Sequence, residues 1–101
     1  MDIEQLRQVR AEIGFPDWPE QREAVEDLLR GTVDALLALG PSAGEAAVMD
    51  RLRAAVGRLN EMDDGFIGTL EAEDLCNALY RIGEAAGVSL DEEWVDEHRD
   101  W

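Results

Sequence analysis

The stretch SAGEAAVMDRLRAAVGRLNEMDDG, running from Ser42 to Gly65, decides the fold. Val48, Met49, Leu52, Ala55, Val56, Leu59 and Met62 recur every three or four positions, the spacing of one face of an α-helix. Ser42 followed by Glu45 has the form of a capping box, in which two side chains satisfy N–H groups at a helix start. Asp63-Asp64-Gly65 ends the stripe. A strand would need apolar residues at every second position, and no segment of the chain keeps that alternation.

Similar stripes flank this segment. Ile3, Leu6, Val9 and Ile13 mark a leading helix, with Gly14 as its expected C-cap and Phe15-Pro16 as an extended exit. Asp17 and Glu20 form another capping box, with Pro19 in the first turn. The helix behind it carries Val25, Leu28, Leu29, Val33, Leu36 and Leu37 and stops at Gly40-Pro41. Gly31 inside it calls for either a close neighbour or a locally weak helix. After the apolar connector Phe66-Ile67-Gly68, Thr69 is the expected N-cap of a helix burying Leu75, Leu79, Ile82 and Ala86. Ser89 and Glu92 open a short terminal helix with Trp94, Val95, His98 and Trp101 roughly on one side. The expectation is an all-α fold: one domain, residues 1–101, built as a compact bundle of four to five helices.

Charge is the feature that bears most on function. The 24 acidic residues face nine arginines and no lysine, a net −15 on 101 residues. Residues 1–60 balance at −4, whereas residues 61–101 carry 13 acids against Arg81 and Arg99, a balance of −11. Such a field repels nucleic acid and anionic membrane and attracts basic proteins or cations. The single cysteine, Cys76, allows no intrachain disulfide, which fits a reducing cytoplasm. The N-terminus lacks the basic start and apolar run of a signal peptide. Arginine without lysine, with abundant alanine and glycine, points to a GC-rich bacterial genome.

Residues 60–71 resemble an EF-hand calcium loop, with Asn60, Asp64 and Glu71 at ligand positions and Gly65 at the turn. Met62 stands where that loop needs an oxygen ligand. Glu71, Glu73 and Asp74 read as helix-start acids rather than as a catalytic or di-metal set, since the one histidine, His98, lacks the required spacing. Cys76, beside Leu75, reads as a small apolar residue. No phosphate loop, nucleophile elbow or Cys/His metal spacing is present. Neither an enzyme nor a cofactor is therefore expected.

The tryptophans give a binding reading. An aromatic ringed by acids makes a good interface anchor. Asp63, Asp64, Tyr80, Glu92, Glu93, Trp94, Asp96, Glu97 and Trp101 are the expected partner-binding residues. In charge and helical character the chain resembles the small acidic immunity proteins of bacteria, without a residue-by-residue motif. The leading expectation is an acidic module that binds a basic protein, as an inhibitor or immunity-type protein does. A self-associating protein, dimerising through Val25–Leu37, and a carboxylate metal-binding protein using the 60–71 loop are the alternatives.

Overall fold

The computed structural model describes residues 1–18 and 20–101, which form five α-helices and no strand. They are α1 (Ile3–Glu12), α2 (Arg22–Leu39), α3 (Glu45–Met62), α4 (Thr69–Ala85) and α5 (Glu92–His98). The all-α bundle expected from periodicity is what the chain forms. α1 packs on α2 and α4, α2 packs on α3, and α5 lies on α3.

The stripes converge on one core. Leu6 of α1, Val25, Leu29, Val33 and Leu36 of α2, Leu52, Val56 and Leu59 of α3, and Leu75, Leu79 and Ile82 of α4 are fully buried. Each such side chain contributes about 1.5–3 kcal/mol on leaving water. Leu29 and Leu36 are spent in this core, and Leu28 and Leu37 pack partly against it.

Helix starts differ from the expected capping boxes, each for a specific reason. Two buried or half-buried side chains of α2 hold the α1–α2 linker: Glu26 Oε2 accepts the Phe15 N–H at 2.7 Å, and Arg30 Nη2 donates to the Ile13 carbonyl at 2.9 Å. Trp18 N–H donates to the Phe15 carbonyl, closing a turn. The linker is thus committed, Asp17 and Glu20 do not cap, and α2 begins at Arg22 behind Gln21. Ile13, in extended geometry, caps α1, and Gly14 does not take a left-handed conformation. The expected place of Pro19 lies outside the described residues.

Ser42 is displaced as N-cap by Gly44, because the chain first turns at Gly40 (φ 85°) with Ala43 N–H donating to the Gly40 carbonyl. Gly68 rather than Thr69 caps α4, and its carbonyl accepts the Ala72 N–H at 2.9 Å. Asp91 replaces Ser89 on α5, its Oδ1 accepting the Trp94 N–H at 2.8 Å. Leu90 packs so closely on Gly83 that a Cβ there would stand 3.0 Å from its Cγ. That contact pins the α4–α5 turn and delays the helix start. Gly31, by contrast, has nothing within 4 Å of where a Cβ would lie, so it weakens α2 without serving a close approach.

Candidate functional site

The C-terminal segment is fixed by one side chain of α3. Asn60 Nδ2 donates to the His98 carbonyl at 2.8 Å, and its Oδ1 accepts the Asp100 N–H at 2.9 Å. Asn60 lies inside α3, and both ends of its amide are occupied. Asp63 Oδ1 accepts the N–H groups of Gly65 and Ile67, forming the turn into α4. The EF-hand resemblance thus meets a loop whose first residue is helical and bonded elsewhere. Among the described residues no three His, Cys, Asp or Glu side chains converge on a common metal position.

Held this way, the chain end walls a groove of about 620 Å³ along α4. Its lining includes Ile67, Glu73, Cys76 and Tyr80 from the loop and α4, and Glu92, Arg99 and Trp101 from the C-terminal segment. Arg99 is the organising charge. Its Nη2 pairs with Asp96 at 2.7 Å, its Nη1 lies 3.9 Å from the Cys76 sulfur, and its guanidinium carbon stands 5.3 Å from the Trp101 ring centroid. The Trp101 indole nitrogen is buried with no hydrogen-bond partner among the described residues. The ring is held by packing against the core, without a hydrogen bond of its own among the described residues.

Burial pushes the Cys76 thiol up from its ordinary value; Arg99 opposes that rise, while Asp96 and Glu92 add to it. Burial likewise raises the Tyr80 hydroxyl, with Cys76, Glu92 and Asp96 reinforcing it. A nucleophilic thiolate needs the reverse shift.

Of the nine expected binding residues, Tyr80, Glu92 and Trp101 meet in this groove. Glu93 and Glu97 are exposed on α5, and Asp64 is exposed in the preceding loop. Trp94 is half-buried against the core and stacks on His98, with ring centroids 4.5 Å apart. Asp96 is tied to Arg99, and Asp63 to its own turn. Sequence reasoning missed Arg99 and Leu70. Arg99 was legible as the i+3 partner of Asp96 and near neighbour of Trp101. Leu70, 72% exposed, is the large apolar side chain left out of the core among the described residues, and it precedes the α4 stripe.

A second cleft, of about 330 Å³, lies where α1, its linker and α4 meet. Two pairs of its polar groups satisfy one another. Arg81 pairs with Glu12, Trp18 Nε1 donates to Asp74 at 2.9 Å, and the Trp18 ring stacks on Phe15.

No helix is long and apolar enough to cross a membrane among the described residues. Compared with protein-family models, curated proteins and solved structures, the chain finds no match in any of the three.

Proposed function

We propose that this chain is a protein-binding module that docks a basic partner on its α4–α5 end, in the manner of a small inhibitor or immunity-type protein. One observation carries the reading. Among the described residues, Asp96 alone of the 13 acids after residue 60 sits in an ion pair, whereas five of the 11 before it do. Acids left unpaired beside an aromatic-walled groove are the arrangement that steers and then anchors a cationic surface. The field would speed encounter, and desolvated contacts with Tyr80, Trp101 and the exposed Leu70 would slow release.

Affinity purification on the full chain from its native host, at low salt, tests this. The expected result is a basic protein whose association slows steeply with added salt and whose retention is lost in the Leu70→Ser variant. Recovery of no basic protein at low salt contradicts it.

A further inference from the structure

The groove already shows which cation suits it. Arg99 seats its guanidinium there, against the Trp101 ring and the Asp96 carboxylate, with its side chain only 27% exposed. One cation does not neutralise the site. Glu73 and Glu92 also line the groove, both are exposed, and neither has an ion-pair partner among the described residues. Arg99 and Asp96 cancel, so the rim keeps a charge of −2 beside Tyr80. About 620 Å³ of open space lies beside Arg99.

We propose that this groove receives an arginine side chain carried by a basic protein segment, with Tyr80 and Trp101 as its aromatic walls and Glu73 and Glu92 as counter-charges. A guanidinium suits such a place better than an ammonium does. It is planar, more weakly hydrated, stacks on aromatic faces and pairs with carboxylates through two donors. Arg99 then acts as a resident competitor: it occupies the Trp101 face and the Asp96 carboxylate that an incoming guanidinium would use. This inference rests on the docking reading above and names its chemistry.

Cys76 supplies the readout, since its sulfur lies in the groove and is the chain's only thiol. Two short peptides of equal charge, one with arginine and one with lysine at alternate positions, are bound to the full chain at low ionic strength. Calorimetry gives occupancy, and iodoacetamide gives the Cys76 alkylation rate. At matched occupancy the arginine peptide is expected to slow alkylation more than the lysine peptide, because its guanidinium enters the groove beside Cys76. Arg99→Ala, checked for native helicity by circular dichroism, is expected to bind the arginine peptide more tightly, and Glu92→Gln less tightly. Weaker binding by a folded Arg99→Ala overturns the competitor role, and equal protection by both peptides overturns the preference for arginine. Binding by either peptide without protection overturns the groove while leaving the docking reading intact. If neither peptide binds, both fall.

Discussion

Asn60 and Asp100 are joined across the end of α3: the Asn60 side-chain oxygen accepts the Asp100 backbone N–H at 2.9 Å. With the partner bond to the His98 carbonyl, this amide is a two-point polar tie between the bundle and its last residues. Asn60→Ala leaves two backbone groups without their partner and is expected to cost about 1–3 kcal/mol. Urea unfolding measures the loss, and amide exchange should quicken in residues 94–101 first. An unchanged exchange pattern would show that Val95 and the tryptophans suffice to hold the segment. Because Asn60 is already engaged, calcium titration of the chelator-treated protein is expected to give no heat.

Gly31→Ala is expected to stabilise the chain by about 1 kcal/mol, the helix-propensity difference, because the new methyl meets open space. Gly83→Ala carries the same propensity gain but drives its methyl to 3.0 Å from the Leu90 Cγ. It should gain much less or lose stability. Denaturant midpoints of the two variants decide. An equal gain at both positions would mean that Leu90 does not pin the α4–α5 turn.

The core was readable and the helix starts were not, for one physical reason. Leu52, Val56, Leu75 and Leu79 follow a period that the backbone imposes on any buried helical face. Capping depends on which N–H groups remain free, and long-range contacts decide that. Phe15 gives its N–H to Glu26, eleven positions on, so the Asp17 and Glu20 pair has no helix to cap. The site divides the same way. Tyr80, Glu92 and Trp101 were legible from charge and aromaticity. Their meeting in one groove depends on Asn60 reaching 40 positions ahead to Asp100, which no local pattern records.

Cys76 should react slowly with alkylating reagents near neutral pH. Desolvation raises its pKa, so the neutral thiol persists and the thiolate forms only at higher pH. The rate of iodoacetamide reaction against pH is expected to inflect above the value of about 8.5 typical of a free thiol. An inflection below it would mean that the Arg99 guanidinium outweighs burial.

Unpaired acids on α4 and α5 repel one another in the free protein. Added sodium chloride screens them, so the melting temperature should rise. Relief of about 1 kcal/mol would lift it by roughly 4–8 °C for a chain of this size. A fall in melting temperature with salt would mean that the ion pairs Arg10–Asp34 and Arg81–Glu12 matter more than the repulsion.

The docking claim is tested most directly by two variants of equal charge. Glu73→Gln with Glu92→Gln removes two carboxylates from the groove, and Glu4→Gln with Glu45→Gln removes two exposed ones from α1 and α3. The affinity of each for an arginine-rich peptide is measured by calorimetry at low ionic strength. The account predicts a loss of about fivefold or more for the groove pair and little change for the other. Equal losses would contradict it, because the acids would then act as a diffuse field with no docking face.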